Sequence, residues 1–191
     1  MDTSPAMKRP AVLALAALAL LTLTGAREIA WTVDRNASRI EMTVQAFGGS
    51  HRGRFSDWGG DILFDPADPD RTRAMIVVRS ASLTMSPAAI SERATGPAFL
   101  DAARHPVIRF DLRSLEPAGG DRYTAHAVVT MKGVTRPLAF PVDLHVTGDR
   151  AHLTGAFVLN RADFGIGTSG PWNRLVGRQV TVRVALQARR A

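Results

Sequence analysis

The chain has 191 residues, a formal net charge of +7 and no cysteine. This length fits one domain with a hydrophobic core of its own. The absence of cysteine excludes disulfide bonds, thiolate catalysis and iron–sulfur clusters.

The first segment of the chain is typical of an export signal. Lys8 and Arg9 precede an apolar run over residues 11–23, and small residues follow up to Ala26. This order matches a cleaved signal peptide, and the apolar run is short for a membrane span. An uncleaved N-terminal anchor is the alternative.

We therefore predict a signal peptide over residues 1–26, one domain over residues 27–191 and a periplasmic location. Loss of Asp2, Lys8 and Arg9 removes one net positive charge from the +7, so the exported part stays basic. For an exported basic protein, anionic lipid surfaces are better partners than nucleic acid, and we expect no nucleic-acid binding.

Alternating apolar and polar residues predict strands in the first half of the domain. The first long strand covers residues 39–46, the second covers residues 54–65 and the third covers residues 74–79. In the second strand Phe55 is out of phase with the other apolar residues. The Gly59-Gly60 pair in that strand predicts a bulge or a sharp bend.

The only helical signal follows the third strand. Ser86 is a good N-cap residue, Pro87 fits the first helical position, and residues 88–93 continue the helix. A second short helical turn is predicted over residues 98–104. His105-Pro106 then returns the chain to strand.

Five more strands follow the helical insertion, and the clearest two flank Gly148-Asp149. On both sides of this pair apolar residues occupy alternate positions, and a two-residue loop with glycine first suits a type II′ turn. Pairing Thr147 with Arg150 places Phe140 opposite Phe157 and puts both apolar rows on one face. The five strands lie near residues 108–113, 123–131, 138–147, 151–159 and 180–187.

These patterns amount to eight antiparallel strands with a helical insertion between strands 3 and 4. Each strand has one apolar face, and there are too few helices to cover an open sheet. Closure into an all-β eight-stranded antiparallel β-barrel buries that face and removes the sheet edges. A two-sheet sandwich is the alternative. An eight-stranded interior is either filled by side chains or holds one ligand.

Catalytic motifs are weak throughout the sequence. There is no nucleophile elbow, phosphate-binding loop or dinucleotide fingerprint. The predicted hairpin places His145 opposite His152, but both occupy outward positions and lack a third ligand for a metal. We therefore predict no catalytic residues, no metal site and no cofactor.

The inward-facing positions mix large aromatic residues with very small ones, and Tyr123 is the most obvious polar residue among them. A tapered, filled core explains this mixture, and so does an apolar cavity that holds a lipid. The residues predicted to contact such a ligand are Met42, Val44, Trp58, Ile62, Phe64, Phe110, Tyr123, Ala127, Met131, Phe140, Val142, Gly155, Phe157, Phe164 and Val182.

Three arginines lie in or beside the glycine-rich loop over residues 165–177. Arg161, Arg174 and Arg178 are candidates for a lipid headgroup, because arginine makes strong bidentate contacts to phosphate. The alternative is that all three are solvated charges at the rim of the barrel.

Six segments carry a further signal. They are Trp-Thr-Val-Asp at 31–34, Ala-Ser-Arg-Ile at 37–40, Gly-Arg-Phe-Ser-Asp-Trp-Gly-Gly-Asp-Ile-Leu-Phe-Asp at 53–65, Phe-Leu-Asp-Ala-Ala-Arg-His-Pro-Val-Ile-Arg-Phe at 99–110, Met-Lys-Gly-Val-Thr-Arg-Pro at 131–137 and Arg-Ala-Asp-Phe-Gly-Ile-Gly at 161–167. Together, in this order, they resemble the YceI-like family of exported lipid-binding proteins. Residues 94–97 depart from the family pattern, which is usually more polar and less kinked there.

The resemblance implies a lipocalin-like barrel with a long apolar pocket for polyisoprenoid chains, such as isoprenoid quinones or prenyl phosphates. It also implies other long-chain amphiphiles as ligands in some members. We therefore expect a periplasmic, non-enzymatic lipid carrier with transient contact to a membrane surface, and the sequence leaves a homodimer open. A lipocalin-shaped isomerase or lyase and a structural barrel with a filled core are the alternatives.

Overall fold

The computed structural model describes residues 29–191, so the predicted signal peptide lies outside the described residues. Within them, no helix is both long and apolar enough to cross a membrane. The strands are β1 (Ala30–Val33), β2 (Arg39–Ala46), β3 (Gly49–Phe55), β4 (Trp58–Leu63), β5 (Arg73–Arg79), β6 (Leu83–Met85), β7 (Val107–Pro117), β8 (Arg122–Met131), β9 (Val134–Thr147), β10 (Arg150–Asn160) and β11 (Val176–Arg190). The α-helices are α1 (Ala88–Thr95) and α2 (Trp172–Leu175), and 3-10 helices cover Pro69–Arg71, Ser80–Ser82 and Arg161–Phe164.

All strand segments belong to one antiparallel sheet that closes on itself. Because β1 pairs with both β4 and β11, the order β1-β4-β5-β7-β8-β9-β10-β11 is a closed ring of eight strands. The segments β2, β3 and β6 continue β1, β4 and β5, and they pair with β11, β2 and β3 respectively. The predicted eight-stranded barrel is confirmed, with α1 between the third and fourth strands, and a two-sheet sandwich is wrong.

The β9–β10 hairpin has the predicted register. Thr147 pairs with Arg150 and Val142 pairs with Gly155. Gly148 has φ +61°, as the first central position of a type II′ turn requires. The Phe140 and Phe157 rings meet with their centroids 4.7 Å apart, so both apolar rows do face the same side.

The predicted bulge at Gly59-Gly60 is wrong, because β4 pairs with β5 without a register shift. A side chain at Gly60 would place its Cβ 1.9 Å from the carbonyl oxygen of Met75, so close strand approach explains the glycine. The chain bends earlier, between β3 and β4. Across that bend the alternation resets, and both Phe55 and Trp58 are buried.

The helical insertion contains one helix instead of the two predicted helical segments, and α1 continues to Thr95, beyond the predicted residue 93. Pro87 is the N-cap residue of α1 instead of Ser86, and its side chain makes no capping hydrogen bond. The Ser91 hydroxyl accepts a hydrogen bond from the backbone N–H of Met85 and donates one to its carbonyl, which fastens α1 to β6. Residues 98–104 form turns and no helix, because Asp101 has φ +50° and cannot continue one.

The two ends of the barrel differ in how they are closed. One end, called the helix end, carries α1, α2 and the β2–β3 turn, and a cluster around Phe99, Phe164 and Val176 packs beneath them. The opposite end, called the turn end, carries the β9–β10 turn and residues 64–72. A cluster that includes Phe64 and Leu115 closes it.

Candidate ligand-binding cavity

The barrel encloses a cavity of about 590 Å³, which is within the usual range for small-molecule sites. The cavity extends from Phe64 and Leu144 at the turn end to Ile166 and Val176 at the helix end. The interior is therefore not a completely filled core.

The cavity wall is almost entirely apolar. Its polar side chains, within the part of the chain that the structure describes, are His51, Thr72, Arg93 and Arg161. Water inside such a wall finds few hydrogen-bond partners. An apolar molecule that replaces this water removes its own surface from solvent, so the cavity favours apolar ligands.

Most residues predicted from strand alternation reach the cavity wall. Alternation identifies them because successive strand residues point to opposite faces, and closure turns one face inward. The predicted residues that line the cavity are Met42, Val44, Ile62, Phe64, Phe110, Met131, Phe140, Val142, Phe157 and Val182.

Five predicted ligand contacts lie elsewhere. Trp58 is buried in the wall beside β5, and Phe164 packs in the helix-end cluster. Tyr123 is half-buried against the turn-end cluster, and Ala127 is buried within that cluster. A Cβ at Gly155 would lie 2.8 Å from Cγ1 of Val142, so this glycine makes room for a neighbouring side chain.

Several lining residues were missed. Ile40, Ile76 and Val78 line the cavity, and the strand alternation that identified their neighbours also points to them. Phe55 was missed because the bend after β3 resets the alternation. Ile90 lines the cavity from α1, and only the docking of that helix against the barrel reveals it.

The cavity opens at the helix end, between α1 and the β2–β3 turn. Its exposed lining residues, among those described, are Phe47, Ala89 and Arg93. The Trp172 ring of α2 lies beside this opening, 6.4 Å from the Phe47 ring between centroids. The Arg93 guanidinium sits over the Trp172 ring at 4.6 Å from its centroid, which connects α1 to α2.

Arg161 is only 3% exposed and holds the loop at the helix end together. Its Nε and Nη groups donate to backbone carbonyl oxygens at 2.7 to 3.4 Å in four of the five bonds. Burial lowers the pKa of Arg161 from its ordinary value, and the nearby charge of Arg178 lowers this pKa further. The acceptors are the carbonyl groups of Ile166, Gly167, Trp172, Val176 and Gly177.

The three arginines that were predicted to contact a lipid headgroup occupy different positions in the structure. A guanidinium has five N–H donors, and all five of Arg161 face backbone carbonyls, so it is a structural cross-link. Arg174 and Arg178 are exposed and do not line the cavity. Arg93, which was not predicted, is the arginine at the opening.

The histidine pair is on the outer surface, as predicted. His145 pairs with His152 across the hairpin, and its Nδ1 lies 2.6 Å from Oδ2 of Asp121. Among residues 29–191, no group of three or more His, Cys, Asp or Glu side chains could hold a metal ion.

Comparison with known proteins identifies the family. The family model of the YceI-like domain matches residues 31–188. The chain belongs to this family. A UPF0312 protein of Pseudomonas syringae pv. tomato is 28% identical over 180 residues, which cover 87% of this chain and 94% of the relative. A UPF0312 protein of Shewanella baltica is 28% identical over 171 residues, which cover 84% of this chain and 88% of the relative.

Solved structures share the fold of this YceI-like chain. Burkholderia cenocepacia BcnA matches with a TM-score of 0.76 and 24% identity, covering 81% of this chain and 98% of BcnA. A polyisoprenoid binding domain from Saccharophagus degradans matches with a TM-score of 0.69 and 14% identity, covering 86% of this chain and 100% of that domain.

Proposed function

We propose that the protein is an exported carrier that holds a polyisoprenoid lipid, or a similar long-chain amphiphile, for transport, storage or sequestration in the periplasm. The observation that carries this proposal is the apolar cavity that runs through the barrel and opens at one end. The description of the Saccharophagus degradans neighbour as a polyisoprenoid binding domain supports the ligand class.

The hydrophobic effect supplies the affinity in this proposal. Burial of apolar surface contributes about 0.8 kcal/mol per CH₂, or roughly 4 kcal/mol for each five-carbon isoprenoid unit. The hydrophobic effect is not directional, so the cavity wall does not recognise particular groups of the tail. The cavity can therefore select a ligand only by the length and width of its apolar tail. Isoprenoid quinones and prenyl phosphates are both proposed ligands, because each carries an apolar isoprenoid tail.

The headgroup is proposed to stay at the opening, where water and polar side chains are available. Arg93 lies at the opening with its guanidinium stacked on Trp172, and it retains N–H donors for a phosphate or a carbonyl oxygen. His51 also lines this end, with its Nε2 3.1 Å from the carbonyl oxygen of Ala46.

A matched pair of variants tests the proposal. Val182 lines the cavity on β11, whereas Val158 on the neighbouring strand β10 is 52% exposed. Val182→Trp fills part of the cavity, and Val158→Trp adds the same ring to a surface position. Native mass spectrometry of protein purified from its own cells, followed by organic extraction, measures the bound lipid.

We expect the parent and Val158→Trp to carry an extractable long-chain lipid and Val182→Trp to lose most of it. Absence of lipid from the parent, together with no rise in melting temperature on addition of quinones or prenyl phosphates, would refute the carrier function. Intact mass also tests export, since cleavage after Ala26 leaves a chain that begins at Arg27.

A further inference from the structure

Two large apolar side chains are exposed side by side at the cavity opening. Phe47 is 55% exposed and Leu175 is 46% exposed, and the backbone N–H of Phe47 donates to the carbonyl oxygen of Leu175 at 3.1 Å. The Phe47 ring also meets Trp172 edge-on. We call Phe47, Trp172 and Leu175, with the flanking Arg93 and Arg174, the mouth patch.

Phe47 is held in a conformation that phenylalanine disfavours. Its φ is +52°, a left-handed value in which bulky residues are uncommon and Asn or Asp are enriched. An exposed ring contributes little to the core, so folding alone does not explain a phenylalanine in this turn. A role in recognition explains both its exposure and its strain.

Arginines flank the opening, together with the exposed Glu92 of α1. Arg93 and Arg174 are exposed, and neither forms an ion pair with a described residue. Lys132 lies at the same end, where its Nζ donates to the carbonyl oxygen of Gly165.

We propose that the mouth patch docks the barrel, opening first, onto a bilayer that contains anionic lipid. Aromatic residues favour the interface between headgroups and acyl chains, and arginines beside them are attracted to anionic headgroups. This inference rests on the proposed carrier function, because docking in this orientation lets a lipid tail enter the cavity without crossing water.

Vesicle flotation tests the docking. We expect the parent to bind phosphatidylcholine vesicles that contain phosphatidylglycerol, and to bind pure phosphatidylcholine vesicles more weakly. Added salt should reduce the binding by screening the arginines. Phe47→Asp and Leu175→Asp should each lower the partition coefficient at least tenfold.

Val158→Asp is the matched control, because Val158 on the outer face of β10 is about as exposed as Phe47 and Leu175. This variant should leave vesicle binding unchanged. Asp suits the φ of position 47, so Phe47→Asp should fold, and a thermal melt checks this. Parent-like vesicle binding by both patch variants would overturn the proposal. An equal loss of vesicle binding in Val158→Asp would also overturn the proposal.

Two further measurements separate this inference from the carrier function. Leu175→Asp, at a residue of the mouth patch that does not line the cavity, should keep its bound lipid in native mass spectrometry but transfer it to acceptor vesicles at least tenfold more slowly. A parent that binds vesicles but carries no lipid would refute the carrier function and leave docking supported. A parent that is dimeric in light scattering, becomes monomeric with Phe47→Asp and does not float with vesicles would overturn docking.

Discussion

The space around Gly155 leads to a quantitative prediction. A Cβ at this position would lie 2.8 Å from Cγ1 of Val142 and 3.2 Å from Cε2 of Phe140. Overpacking of this kind costs about 1–3 kcal/mol, and a Gly→Ala change returns about 0.4–1 kcal/mol through the unfolded chain. Gly155→Ala should therefore lower the free energy of unfolding by about 1.3 kcal/mol, the midpoint of a range of about 0–2.6 kcal/mol.

A double-mutant cycle identifies the cause of this loss. Val142→Ala removes the Cγ1 atom that obstructs the new methyl group, so the double variant should be more stable than the sum of the single effects by about 1 kcal/mol. Urea denaturation measures all four free energies, and an unchanged m-value shows that only stability has changed.

A second glycine serves as the control for this cycle. Gly59 also lies in a strand, but a Cβ there meets no atom within 4 Å, so Gly59→Ala should not destabilise the protein. If the effects of Gly155→Ala and Val142→Ala on the free energy of unfolding add to within about 0.5 kcal/mol, steric obstruction by Val142 is refuted.

The other predictions concern the two arginines at the helix end. Arg161→Lys should destabilise the protein by about 3 kcal/mol or more, because three donors at one point cannot satisfy five carbonyl groups that are buried or part-buried. Arg178→Gln, at an exposed site, should change the melting temperature little. Equal effects of the two substitutions would contradict the cross-link. Arg93→Ala should lose about 0.5–1 kcal/mol of cation–π attraction to Trp172. Hydrogen exchange of the α1 amides should then become roughly two- to fivefold faster. The control variant Arg104→Ala should leave the exchange rate unchanged. Unchanged protection of α1 in Arg93→Ala would show that the Trp172 ring does not hold the helix.

Much of the barrel could be predicted because strand alternation is a local property. Each strand from β8 to β10 is uninterrupted in its alternation, so its inward face follows from parity, and the Gly148 turn sets the hairpin register. The same logic failed after Phe55, because the bend between β3 and β4 depends on how those segments pair with β2 and β5. No local pattern encodes that pairing.

The helix end could not be predicted from local patterns in the same way. The role of Arg161 depends on five carbonyl groups that later residues, up to Gly177, bring into its reach. Before folding, an arginine in a glycine-rich loop is equally compatible with a solvated charge. One feature of the sequence does point to a defined loop, namely the glycines at positions 165 and 167. These residues adopt φ +64° and +60°, which glycine adopts without steric strain.

The pairing of β1 with β11 has a consequence for how the protein folds. This seam joins parts of the chain at opposite ends of the domain: Ser38 and Gln187, for instance, exchange hydrogen bonds across 149 positions. We expect such long-range closure to be slow. Until β11 is in place, β1 and β10 are unpaired edges that can join other chains, so a deletion within β11 should produce aggregation instead of a weaker barrel.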